Sequence, residues 1–138
     1  MTSGYSGTPM ADKLGIRAGS RVLLRRAPAG LALEPAADVV LHRRADAGRY
    51  DIIVLFCPDR ATLHADFAVA LERLSVAGGL WACWPKRASG VATDLTETGV
   101  RDHGLGIGVV DVKIAAIDTT WSGLKFVRRV VDRVVMDP

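Results

Sequence analysis

Six cations and one carboxylate stand where the apolar, strand-like runs of this chain end. Arg25 and Arg26 follow the run Arg21 to Leu24, Arg43 and Arg44 follow Asp38 to Leu41, and Lys86 and Arg87 follow Leu80 to Trp84. The one acid of the set is Asp59, just after Asp51 to Phe56. Guanidinium and ammonium groups gathered at one edge hold phosphate, sulfate or carboxylate through charge-assisted hydrogen bonds. Ser89, Thr93 and the amides of a helix opening at Asp94 would complete such a cradle. The expected chemistry is anion binding, with Arg26, Lys86, Arg87, Ser89 and Thr93 as candidate residues for a small anion or nucleotide. The plain alternative is that strand ends carry charge for solubility, and that Arg43 and Arg44 belong to a solvated loop.

Other reactive side chains point to packing. Cys57 precedes Pro58 at a strand end, where Lys86 or Arg87 could lower its pKa, but no base stands near it in the sequence pattern. Cys57 and Cys83 read as reduced, buried small hydrophobes. His42, His64 and His103 show no ligand spacing, so no metal is expected, and His64 and His103 read as solvated. Trp81, Trp84 and Trp121 read as core and turn residues. Lys125, Arg128, Arg129 and Arg133 would make a basic strip only if strand alternation did not divide Arg128 from Arg129.

These residues need a frame, and Tyr50 to Lys86 supplies it. Asp51 to Phe56 has the profile of a strand covered on both faces. From Arg60 to Ala77, Leu63, Phe67, Ala70, Leu71 and Leu74 recur at helical spacing, and Gly78-Gly79 reads as the helix exit before a second strand, Leu80 to Trp84. Two strands joined by a helix are parallel with a right-handed crossover. Upstream, Met10 to Leu14 reads as a short helix closed by Gly15, Arg21 to Leu24 and Asp38 to Leu41 as strands, and Pro28 to Leu33 as barely two helical turns. Residues 42–49 are too few for a helical crossover, leaving a bare parallel return, which is favoured, or a hairpin. Downstream, Asp94 and Glu97 mark a helix ending near His103-Gly104. From Gly108 the chain reads as a hairpin turning through Thr119 to Gly123 and returning as LKFVRRVV.

The chain has 138 residues, 49% hydrophobic and 24% charged, with net charge +3. That is the size of one domain with its own core. We expect a flexible leader at 1–9 and one α/β domain at 10–138. No apolar run reaches the roughly 20 residues of a membrane span, and no signal peptide is read at the start, so a cytoplasmic location is expected. The mild charge permits an anionic partner without demanding one.

The order of these parts resembles the class I methyltransferase branch of the Rossmann-like folds, through Leu14 to Val22, Tyr50 to Phe56, Leu71 to Trp84 and Val109 to Val130. WPKRASGVATDLTE, VDVKIAAID and WSGLKFVRR are similar to segments of a small bacterial family of unknown function with the same fold in truncated form. The resemblance implies a single-domain, mostly parallel sheet with a C-terminal antiparallel hairpin. It also implies an S-adenosylmethionine site at a glycine-rich turn after the first strand and an acid ending the second. This chain departs at both: LRRAPAG keeps only Gly30, and the second strand runs into His42-Arg43-Arg44.

From those departures the expected function is a non-catalytic module binding a small anion or a protein partner, without catalytic residues, metal or cofactor, and free to form homo-oligomers. The alternatives are an S-adenosylmethionine-dependent methyltransferase with a degenerate cofactor loop and a weak nucleic-acid binder.

Overall fold

Ile52, Val54 and Phe56 point to one side of a pleated strand and Ile53 and Leu55 to the other, and all five are buried, so this strand needs a covering layer on each face. In a computed structural model that describes residues 9–136, it sits inside a sheet with helices on both sides. The expected flexible leader, but for Pro9, lies outside the described residues. In chain order the elements are helix α1 (Met10–Leu14), strands β1 (Arg21–Arg25), β2 (Val40–His42) and β3 (Tyr50–Phe56), and helix α2 (Arg60–Leu71). Strand β4 (Leu74–Pro85), helix α3 (Glu97–Ile107), strands β5 (Val109–Ala116) and β6 (Trp121–Arg128), and helix α4 (Val130–Met136) follow. The sheet order is β2-β1-β3-β4-β6-β5, parallel through β4, with β6 antiparallel to both its neighbours. The fold class is therefore the one expected: a single α/β domain, Rossmann-like, closed by an antiparallel hairpin.

Each face of the sheet has its own core. Leu23, Ile53, Leu55, Leu80 and Phe126 pack with Leu63 and Phe67 of α2 and Val100 of α3. On the other face Val22, Leu24, Val54, Phe56 and Trp81 pack with Leu14 and Ile16. Trp81 donates its indole N–H to the Leu14 carbonyl at 3.0 Å, tying α1 to the centre of the sheet. Residues 28–33, expected to be helical, instead make one turn, Leu31 N–H to Pro28 O at 3.3 Å, and then run irregularly with Leu31 and Leu33 against this second core. Two prolines within eight residues leave no room for a helix to propagate.

The connection from β2 to β3 is the bare parallel return. His42 is level with Leu23 while Tyr50 resumes below Val22, so residues 43–49 retreat about 10 Å along the strands and cross about 10 Å over β1. Seven residues reach about 23 Å, which suffices. Asp46 fixes the path: its carboxylate accepts from Arg21 Nη2 at 2.6 Å and from the Gly48 amide at 2.7 Å. Its own amide donates to the Tyr50 hydroxyl at 3.0 Å, and that hydroxyl meets His42 Nδ1 at 2.7 Å.

Helix α2 is shorter than its periodicity suggests. It stops at Leu71 rather than Ala77, and Gly78-Gly79 lie inside β4 rather than at a helix exit. What ends the helix is an arginine from the far end of the chain. Arg128, 7% exposed, donates to the carbonyls of Leu71, Leu74 and Ser75 at 2.7, 3.0 and 2.8 Å. Arg49 adds bonds to the Glu72 and Leu74 carbonyls, both at 3.2 Å. The glycines serve close approach: β3 and β4 slip register between Tyr50 and Ile52, and a Cβ on Gly78 would lie 2.8 Å from the Asp51 carbonyl. Helix α3 also differs from expectation, starting after Thr96, whose hydroxyl accepts the Gly99 amide at 3.0 Å, and ending at Gly108. Gly104, expected near its end, lies within it against the Phe126 ring. Trp121 to Gly123 belong to β6 rather than to the hairpin turn, and the chain after Arg128 turns into α4.

Phe67→Ala should lower unfolding free energy by about 3 to 5 kcal/mol through the cavity it leaves. Arg128→Met should cost on the order of 2 to 3 kcal/mol by orphaning three carbonyls. Leu71→Ala should cost less than Phe67→Ala, because Leu71 is only half-buried. Urea titration measures all three, and an Arg128 variant within about 0.5 kcal/mol of the parent would contradict the capping role.

Candidate functional site

In parallel α/β sheets the carboxyl ends of the strands meet at the edge where ligands are held. Here the tips of β1, β3 and β4 lie side by side, and each is held by a particular contact. At the tip of β1, Arg26 takes a positive φ of 58°, uncommon for a residue with a side chain, and its guanidinium turns aside to Asp66 of α2 at 2.7 Å. The next turn, Ala27 to Gly30, therefore presents two methyl groups, a proline ring and Gly30, itself at φ 80°. At the tip of β3, Asp59 accepts the Thr62 amide at 2.8 Å and caps α2, which holds its carboxyl below the usual range.

The loop after β4 is pinned over that tip. Thr93 donates its hydroxyl to the Pro58 carbonyl at 2.7 Å, and Asp94 accepts the Arg60 amide at 2.7 Å. Asp94 thus supports the start of α2 instead of opening α3, as the sequence pattern had it. Ser89 donates to the Lys86 carbonyl at 2.7 Å and accepts the Val91 amide, closing a short turn on itself. Behind the loop lies a cavity of about 650 Å³ bordered by Trp84, Pro85, Lys86, Arg87 and Thr93, with Glu97 and Ser122 opposite. Of the five candidate anion ligands, the structure brings Lys86, Arg87 and Thr93 to this cavity. Arg26 is engaged by Asp66 and Ser89 by its own turn, and neither borders it.

Cys57 is 1% exposed, and burial pushes its thiol up to about 12, with Asp66 adding to the shift and Arg26 opposing it. A thiol held in that form is a weak nucleophile near neutral pH. Burial likewise raises the Cys83 thiol well above its ordinary value. Trp81 and Trp84 are core residues, and Trp121 stands edge-on to Phe56 at 5.2 Å. The C-terminal cations make no strip: Arg128 is buried, Arg129 pairs with Asp132 at 2.9 Å, and Arg133 donates to the Arg128 carbonyl at 2.9 Å. No group of three or more His, Cys, Asp or Glu among the described residues could hold a metal ion. No helix among them is long and apolar enough to cross a membrane.

His103 departs from the reading of solvated histidines. Its ring stacks on His64 at 4.3 Å and stands edge-on to Phe67 at 5.3 Å, and its buried Nε2 has no hydrogen-bond partner. A helical pattern alone could not reveal this, because the contact crosses from α3 to α2.

No family model and no curated protein matches the sequence. Solved structures do match the fold. The chain is similar to the glycopeptide N-methyltransferase MtfA complexed with sinefungin, at 12% identity and a TM-score of 0.60, covering 87% of this chain and 91% of that one. It is similar to the N-methyltransferase NodS from Bradyrhizobium japonicum WM9 in complex with S-adenosyl-L-homocysteine, at 13% identity and a TM-score of 0.51, covering 88% of each. It is also similar to a chain of a fibrillarin/Nop5p complex, at 13% identity and a TM-score of 0.53, covering 82% of this chain and 74% of that one. The fold is methyltransferase-like: one Rossmann-like α/β domain closed by an antiparallel hairpin. This likeness to methyltransferases overturns the expectation of a non-catalytic anion-binding or assembly module. That expectation rested on Arg26 and Pro28 at the turn after β1 and on the missing acid at the end of the second strand; of these, the structure engages only Arg26, with Asp66.

Burial lowers the His103 pKa below its ordinary 6.5, with the His64 charge adding to the effect. The unfolded chain therefore binds the proton more readily than the native one, so stability holds above about pH 6.5 and is lost as pH falls through the native pKa. His103→Phe should flatten that decline in urea midpoints measured across this range; an unchanged decline would place its origin elsewhere.

Proposed function

We propose that the chain is an S-adenosylmethionine-dependent methyltransferase with a reduced cofactor loop, acting in the cytoplasm. The observation that carries the reading is the turn after β1, kept clear by the Arg26–Asp66 pair within a sheet of methyltransferase order. Backbone at Ala27 to Gly30, bearing only small side chains and one proline, suits close approach of a nucleoside or methionine moiety. Asp66 has a second effect, since it offsets the charge of the Arg26 guanidinium beside that turn, and the donor is itself cationic at sulfur. The usual ribose-holding carboxylate at the end of β2 is replaced by His42, whose ring is engaged with Tyr50. The donor is then held with fewer charge-assisted bonds, each contributing about 1.5 to 3 kcal/mol. When bound, S-adenosylmethionine supplies an electrophilic methyl group: an acceptor lone pair takes it, the carbon–sulfur bonding electrons return to sulfur, and the acceptor's proton leaves to water. Thr93 and Asp94, by fixing the loop after β4 to Pro58 and Arg60, hold the acceptor side beside that donor side.

Calorimetric titration with S-adenosylmethionine tests this. The parent should bind, Asp66→Ala should bind roughly tenfold more weakly because Arg26 loses its counter-charge and gains the freedom to cover the turn, and Arg26→Ala combined with Asp66→Ala should recover the parent affinity. No heat with the parent protein would refute the proposal.

A further inference from the structure

Two cations that make no ion pair among the described residues border the cavity behind the loop after β4. Lys86, half-buried, and Arg87, exposed, have side chains with no hydrogen bond or ion pair to any described residue. Two acids border the same cavity: Glu97 is paired with Arg101 at 2.8 Å, while Asp94 accepts the Arg60 amide and keeps its charge, so the cavity carries both signs and an acid bound there has to sit on the Lys86 and Arg87 side. The floor is apolar, formed by Trp84 and Pro85 at the end of β4. A volume of about 650 Å³ falls inside the range of small-molecule sites, which combine apolar walls with a few placed polar groups. The cavity opens beside the tip of β3, to which Thr93 fastens its rim.

We infer that this cavity is the acceptor site, and that its occupant is a small acid with an apolar body and a carboxylate or phosphate head, the head held by Lys86 and Arg87 and the body resting on Trp84. The inference rests on the methyltransferase reading for the word acceptor, and on the cavity alone for the binding. Lys86 is half-buried, so an anion that meets it displaces less water than it would at an open surface. Thr93 cannot donate to the occupant, because its hydroxyl hydrogen is used on Pro58 and its oxygen accepts the Leu95 amide at 3.1 Å. It shapes the rim and leaves recognition of the head to the two cations.

The test titrates phenyl phosphate, benzoate and inorganic phosphate into the parent, Lys86→Ala and Arg87→Ala, with a parallel titration of S-adenosylmethionine. Phenyl phosphate should bind more tightly than inorganic phosphate, and Lys86→Ala should weaken it roughly tenfold or more while leaving S-adenosylmethionine within about twofold. Benzoate sharing the dependence on Lys86 would extend the site to carboxylates. Phenyl phosphate binding lost in Lys86→Ala beside silence toward S-adenosylmethionine would keep the acid site and remove the donor reading. Absence of phenyl phosphate binding, or binding indifferent to both variants, would overturn the inference even if S-adenosylmethionine binds.

Discussion

The first half of this sheet depends on a crossing made without a helix. Strands β2 and β3 flank β1, all three parallel, and residues 43–49 have to carry the chain back past β1 in the open. A loop of that kind has no ladder or helix to take its polar groups, so side chains must direct it. Asp46 does so by joining Arg21 of β1, the Gly48 amide and the Tyr50 hydroxyl, and the Arg21 guanidinium lies over the Tyr50 ring at 4.8 Å. The guanidinium holds the Asp46 carboxyl below its usual range, first through its hydrogen bond. β2 itself has only three residues and ends at His42, so a histidine rather than an acid stands at its tip.

A second long-range contact sets the other half. Arg128, on the last strand, takes the Leu71 carbonyl that ends α2 and the Leu74 and Ser75 carbonyls that open β4, so the central crossover is closed only when the hairpin has entered the sheet. Gly104 of α3 and Gly79 of β4 receive Phe126 and Lys125 from that same strand. The insertion of β6 between β4 and β5 is thus keyed on both faces by absent side chains and at one end by a buried guanidinium.

What was legible in the sequence follows from the range of each signal. The unbroken apolar run Ile52 to Phe56 and the helical stripe of Leu63, Phe67 and Ala70 are local, and they located β3 and the start of α2. The end of α2 was misplaced because Gly78-Gly79 looks like a local stop signal while the actual cap comes from Arg128, more than fifty residues away. Asp94 and Glu97 have capping-box spacing, yet Asp94 turned to the Arg60 amide and Thr96 took its place. At the site, charge at strand tips was legible, and Lys86 and Arg87 do border a cavity. The pairing of Arg26 with Asp66 was not, since no local pattern links a strand tip to the second turn of a later helix.

The central claim is that the turn after β1 and the tip of β3 form the donor side of a methyl-transfer site. Amide NMR of the uniformly labelled chain, titrated with S-adenosyl-L-homocysteine, tests it most directly, because it reports both binding and place. The account predicts saturable shifts concentrated at Arg26, Ala27, Gly30, Cys57 and Asp59, with α4 and β5 unmoved. Shifts absent throughout, or saturating only away from those strand tips, would contradict it.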